Sequence, residues 1–156
     1  VRILDVQECI CMDVAIAWFV RRALKRLAGL LASLPPAPQA ELEADLLAVS
    51  LGGAVARVWA PHLPIGPARD ERGQVEARAV LAWLFDLVDH RVPSEERRYR
   101  DLVADAIEAG SLSERILARL RPLADDEQAF TEAARRVWIE LADSLMDNRP
   151  WAGRAL

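Results

Sequence analysis

"DVAIAWFVRRALKRLAGLLAS" (Asp13–Ser33) decides the fold. Apolar residues at Ile16, Ala17, Val20, Leu24, Leu27 and Leu31 recur at helical spacing, and Asp13 stands where an N-cap belongs, so the segment reads as a helix running to about Ser33. Its longest apolar window, "VAIAWFV" (Val14–Val20), meets Arg21 and Arg22 far short of the ~20 residues that a membrane span requires. The helix therefore belongs to a globular core.

The same period governs most of the remaining chain. "SLPPAPQ" (Ser33–Gln39) stops the first helix, because consecutive prolines remove donors and force extended backbone. A second helix is predicted over about Ala40–Trp59, with Gly52 and Gly53 marking a weak point in it. The Pro- and Gly-rich loop "APHLPIGPARDERG" (Ala60–Gly73) comes next, long enough to be of the functional or mobile kind. Further helices are predicted over Gln74–Asp89, from an N-cap at Ser94 to a stop at Gly110, over Ser111–Leu120, and over about Asp125–Asp147. Ser111 and Glu114 have the spacing of a capping box, and the last helix sets Phe130, Ala134, Val137, Leu141 and Leu145 on one stripe. Upstream, Val1–Val6 is rich in branched residues and reads as a strand buried on both faces, with Arg2 and Asp5 as polar exceptions. The expected fold class is mainly α: one N-terminal β-strand followed by about six helices, residues 1–156 forming a single unit.

A chain of 156 residues with 53% hydrophobic and 28% charged residues has the composition of a folded globular protein, able to bury roughly 70% of its unfolded surface. Nineteen arginines stand against one lysine, Lys25, but acidic residues are spread among them and the net charge is −4. No positive field exists to attract a polyanion, which argues against nucleic acid as a partner. Neither a secretory signal nor a membrane-spanning segment is visible, and a cytoplasmic location is expected. Cys9 and Cys11 fall on one face of the extended segment, an arrangement that suits neither an ordinary disulfide nor a four-ligand zinc site. Buried free thiols are the expectation.

Chemistry-bearing residues are few. His62 lies in the Pro-rich loop without a sequence partner, and His90 at a helix C-terminus reads as a cap that offsets the dipole. "DLVDH" (Asp86–His90) lacks the paired Glu-x-x-His of di-iron bundles, "ADDEQ" (Ala124–Gln128) is charge placement at a helix start, and Gly52-Gly53 is not followed by the Lys-Ser or Lys-Thr of a phosphate loop. Trp18, Trp59, Trp83 and Trp138 are expected in the core, with Trp151 pinning the tail. Arg2 is the exception: a guanidinium in an apolar strand needs an anion, and Arg suits forked recognition of carboxylate or phosphate.

These residues carry a likeness. "VRILDVQECICMDVAIAWFVRRAL" (Val1–Leu24) resembles the segment of the bacterial carboxylate-amine ligase and type 2 glutamate–cysteine ligase family in which a strand Glu-x-Arg-x-x-Asp leads into a long apolar helix. "GSLSERILARL" (Gly110–Leu120) and "WIELADSLMDNRPW" (Trp138–Trp151) resemble its C-terminal helices. The likeness is strongest over Arg2–Val20, moderate after Glu108, and poor between Pro35 and Arg91, where a substrate-contacting loop would depart from the family.

The resemblance implies the C-terminal part of a larger α+β, glutamine-synthetase-like fold. Residues 1–8 would be the last strand of a catalytic sheet lying upstream, and residues 13–156 its helical C-terminal region. Such enzymes activate a carboxylate with ATP as an acyl phosphate and trap it with an amine, as in glutathione biosynthesis, using Mg held by carboxylates on strands. Mapped onto this chain, Arg2 is the catalytic position facing phosphate or the substrate carboxylate, and Asp5 a second phosphate- or substrate-binding position. The family's metal-ligand glutamate would fall immediately before Val1, so no metal ligand is expected in the chain. ATP, Mg and small amino-acid substrates would belong to the full-length parent, with no cofactor and no activity in this chain alone. The helices would buttress the missing sheet and supply a homo-oligomer interface. Two rivals stand beside this reading: a self-contained all-helical ligand-sensing or protein-interaction domain, and a thiol or metal enzyme built on Cys9, Cys11 and His62, which has too few ligands.

Overall fold

In the computed structural model, which describes residues 9–31, 36–65 and 69–153, the first helix, α1 (Ile10–Leu31), begins three residues before Asp13. The Cys9 carbonyl accepts the first bonds, from the amides of Met12 at 3.1 Å and Asp13 at 3.4 Å, while the Cys11 amide donates to Asn148 Oδ1 at 2.8 Å. Asp13 therefore sits inside the first turn, where its charge favours the positive end of the helix, and the cap comes from the far end of the chain. The expected extended segment at Cys9–Cys11 is the start of this helix instead. The expected strand at residues 1–8, with Arg2 and Asp5, lies outside the described residues.

Helix α1 buries Met12, Ala15, Trp18, Phe19 and Ala23, a face rotated from the predicted stripe, and leaves Ala17 and Leu24 exposed. The helix has apolar residues on two faces, and periodicity does not say which one is covered. Small residues at 15 and 23 let α4 (Arg97–Ala109) approach closely, and α3 (Ala77–Asp89) closes the third side. Val88 of α3 and Val103 of α4 complete this cluster, backed by Phe85, Tyr99 and Leu102.

Between α1 and α3 the structure departs from an all-helical reading of residues 13–156. Helix α2 (Gln39–Gly52) ends at the two glycines: Gly53 takes φ 59°, ψ −138°, and a 3-10 turn, Gly53–Val55, follows. The predicted continuation to Trp59 is strand β1 (Arg57–Trp59), and the first three residues assigned to the next helix are strand β2 (Gln74–Glu76). The two pair antiparallel, Val58 opposite Val75. Strands of three residues are too short to show alternation, and tertiary pairing overrides their local preference. The intervening loop is pulled in by Arg69, which donates to the carbonyls of Ala60 and Leu63. It is also turned by Asp70, whose Oδ1 accepts from the amides of Arg72 (3.0 Å) and Gln74 (2.8 Å). A small core of Ala60, Ile65 and Val75 sits beneath it.

Ser94 opens a 3-10 turn (Ser94–Glu96) and α4 starts only at Arg97; the serine hydroxyl contacts Glu95 and caps nothing. Gly110 ends α4 as predicted, at φ 86°, ψ 174°, a conformation reserved in practice for glycine. A Cβ there would stand 2.9 Å from Glu114 Oε2. That carboxylate is engaged in the predicted capping box of α5 (Leu112–Leu120), accepting from the Ser111 amide at 2.7 Å. Helix α6 (Glu127–Met146) is capped by Asp126 and buries Ala133, Val137, Leu141 and Ser144. Phe130 and Leu145 of the predicted stripe are exposed, and so is Trp138, at 70%, where the sequence predicts a core position. Trp151 does pin the tail, buried against Val137 and Leu141 of α6 and Leu112, Ile116 and Leu120. The described residues are thus mainly helical, with a two-stranded sheet and three separate small cores.

Candidate functional site

Two polar seams brace two of these cores, one each. In the first, Glu96 lies over the middle of α1. Its carboxylate accepts from the Trp18 indole N–H at 2.7 Å, from Arg22 at 3.0 Å and from Arg21 at 3.3 Å. Arg22 also donates to the Val88 carbonyl (3.3 Å), and both Arg22 and Arg26 donate to the His90 carbonyl (3.4 Å each). The C-terminal carbonyls of α3 are thereby satisfied by arginines of α1, so the expected capping role of His90 is carried by its backbone, with the compensating charge supplied by another helix. Arg100 grips Asp89 through two bonds, at 2.8 and 3.1 Å, holding α4 to α3.

In the second seam, Glu140 receives a two-pronged contact from Arg119 and the Trp151 indole N–H at 2.8 Å. The guanidinium groups of Arg115 and Arg119 lie over the Trp151 ring at 5.8 and 5.7 Å, and Arg115 donates to the Trp151 carbonyl. Arg119 is almost fully buried. These carboxyls share one electrostatic direction. The Trp18 hydrogen bond, then Arg22 and Arg21, hold Glu96 below the usual carboxylate range against the opposing effect of desolvation; the Arg119 bond does so for Glu140 and the Arg100 bond for Asp89. Such a pattern belongs to structural ion pairs in their ionised form, and none of these carboxyls is poised as a general acid.

Of the residues singled out for chemistry, Arg2 and Asp5 lie outside the described residues. His62 stands edge-on to Trp59, centroids 6.0 Å apart, and among the described residues no group of three or more His, Cys, Asp or Glu side chains is placed to hold a metal ion. The structure does bring Cys9 and Cys11 together, Sγ to Sγ 3.0 Å, with Cys9 fully buried. A shallow, open concavity along α6, lined by Glu127, Gln128, Thr131, Glu132 and Arg135, has no enclosed polar group to orient a small molecule.

The surface is more informative. None of the fourteen residues of α2 is buried, and its Leu47 and Leu51, one turn apart, are 61% and 82% exposed. The outer face of α1 shows Ile10, Val14 and Leu24, and that of α6 shows Trp138, Ile139 and Met146. Hydrophobic content was legible in the sequence, but which faces lacked a neighbour was not. Among the described residues, no helix is long and apolar enough to cross a membrane.

An uncharacterized protein of Archaeoglobus fulgidus is 29% identical to the chain over 127 residues, which cover 81% of this chain and 28% of that protein. The chain thus spans less than a third of the length of this relative. No family model matches the chain, and no solved structure does.

Proposed function

We propose that the chain is the helical C-terminal portion of an ATP-dependent carboxylate–amine ligase of the glutamate–cysteine type, with the task of buttressing the catalytic sheet rather than carrying the chemistry itself. The observation that supports a buttress is α2, a helix with no buried residue. Helices of this length draw most of their stability from a packed face, and α2 has that face available for a further layer of protein. The greater length of the archaeal relative agrees with a further layer. The strand pattern at Val1–Val6 supports the ligase, with Arg2 neutralising a transferring phosphoryl group or a substrate carboxylate and Asp5 beside it. In the parent, ATP and Mg would serve amino-acid substrates in the cytoplasm. The test is made on the full product of the reading frame that contains Val1. With ATP, Mg and paired amino acids it is expected to release phosphate only when both acid and amine are present, and Arg2→Ala is expected to lower that rate about 100-fold or more, the scale of losing one transition-state donor. Phosphate release that ignores the amine, or that survives Arg2→Ala intact, would remove the ligase.

The self-contained interaction module has its own support in the apolar outer face of α1, at Ile10, Val14 and Leu24. Light scattering on residues 1–156 separates the two readings. A buttress deprived of its sheet is expected to associate without defined stoichiometry, and the double substitution Leu47→Glu, Leu51→Glu to restore a monomer while changing stability by no more than about 0.5 kcal/mol. A sharp dimer that Val14→Glu with Leu24→Glu dissociates, and that the α2 pair leaves intact, would favour the module.

A further inference from the structure

We propose that Cys9 and Cys11 form a reversible dithiol–disulfide pair that exchanges with small-molecule disulfides. The two sulfurs stand 3.0 Å apart as thiols, about 1 Å beyond the length of an S–S bond. Cys9 stands at the bend just before α1 and Cys11 in its first turn, so the two side chains meet across the helix start. Closing the bond therefore asks for a small rotation of two side chains, with the backbone left in place. That backbone is anchored: the Cys9 carbonyl accepts from Met12 and the Cys11 amide is held by Asn148. A strand would have spaced the same two residues differently, and the start of α1 at Ile10 creates the contact.

Burial sets the order of events. Cys11 is partly exposed and Cys9 is not. The Cys11 thiolate attacks one sulfur of a disulfide R–S–S–R, forming a Cys11–S–S–R bond and releasing one R–S⁻, which takes up the proton that Cys11 lost. Cys9 then gives up its proton and attacks Cys11 Sγ. The Sγ–S–R bond breaks, the second R–S⁻ leaves and is protonated, and the Cys9–Cys11 bond remains. Two protein thiols are oxidised by two electrons and one small disulfide is reduced to two thiols. With a single residue between the cysteines, the bridge restricts the unfolded chain very little, so it acts as reversible chemistry and not as a staple. A metal role is poorly served, since among the described residues no third ligand joins the pair.

The test uses the reduced full chain and oxidised glutathione, quenched at intervals, alkylated with N-ethylmaleimide and read by intact mass. The wild-type chain is expected to lose both alkylatable thiols and two hydrogens, with little mixed disulfide at any time. Cys9→Ser is expected to stop at a persistent glutathione adduct on Cys11, and Cys11→Ser to retain an unmodified Cys9. A stable adduct on the wild-type chain, a disulfide-linked dimer, or two thiols that stay alkylatable would each overturn the proposal. Circular dichroism shows whether the serine variants fold, and if either does not, the wild-type mass series decides alone.

Discussion

Trp151→Ala is expected to lower stability by about 3–5 kcal/mol, the cost of emptying a buried aromatic site. For a chain of this size that is a fall of roughly 6–20 °C in melting temperature. The side chain is 3% exposed and is the common neighbour of α5 and α6. Its removal leaves a cavity between those helices, takes the ring from beneath Arg115 and Arg119, and deprives Glu140 of a donor. Trp151→Phe keeps most of the packing and loses the N–H bond to Glu140, an expected cost of about 1 kcal/mol. Hydrogen exchange adds the spatial part of the result. Because this core shares no buried residue with the one around Trp18, α5 and α6 are expected to lose protection while α1, α3 and α4 keep theirs. Uniform loss of protection would mean that the cores unfold as one unit, and an unchanged melt would mean that Trp151 is not seated.

Glu96→Ala is the second large effect, expected at roughly 2–4 kcal/mol. It removes the acceptor of the Trp18 indole N–H and the carboxylate partner of Arg22 together, leaving the indole N–H unpaired and Arg22 with only the Val88 and His90 carbonyls in a half-buried seam. Glu96→Gln is expected to cost less, because an amide oxygen still accepts from Trp18. The pair also separates charge from hydrogen bonding through pH. In the unfolded chain a glutamate titrates near 4.3, and in the folded chain Glu96 titrates lower, through its Trp18 bond and the neighbouring arginines. The contribution of Glu96 is therefore complete above about pH 4.3 and is lost as pH falls through the folded value. Asp89 and Glu140 shift the same way, so wild-type stability is expected to fall on acidification from that point, with Glu96→Gln showing a shallower fall. Thermal melts of both proteins between neutral and acid pH measure this, and parallel curves would contradict the assignment.

Most helices were legible because their signals are local. The Gly110 stop and the Ser111–Glu114 box each depend on two to four neighbouring residues and stand where those residues predict them, while the glycine pair read as a weak point inside a longer helix is where α2 ends. Burial was less legible. Helices α1 and α6 have more apolar residues than one face can hold, so periodicity alone chose Leu24 and Leu145 over Ala23 and Ser144. The β1–β2 hairpin escaped because three-residue strands have no pattern to read, and its Asp45 carboxylate, which accepts from the Trp59 amide at 2.9 and 3.0 Å, acts from another element. Glu96 looked like one more acidic residue in a helix start; its partner Trp18 is 78 positions away, and nothing local announces such a pairing.

The bond between the Cys11 amide and Asn148 closes a span of 137 residues, from the opening turn of α1 to the second residue after α6. At translation speeds of roughly 5–20 residues per second, that span takes on the order of ten seconds to emerge. A nascent chain must carry its first helix through that interval with the cap still unmade, and the two thiols beside it wait equally long for their final surroundings. Completion of the start of α1 thus waits for the segment that follows α6.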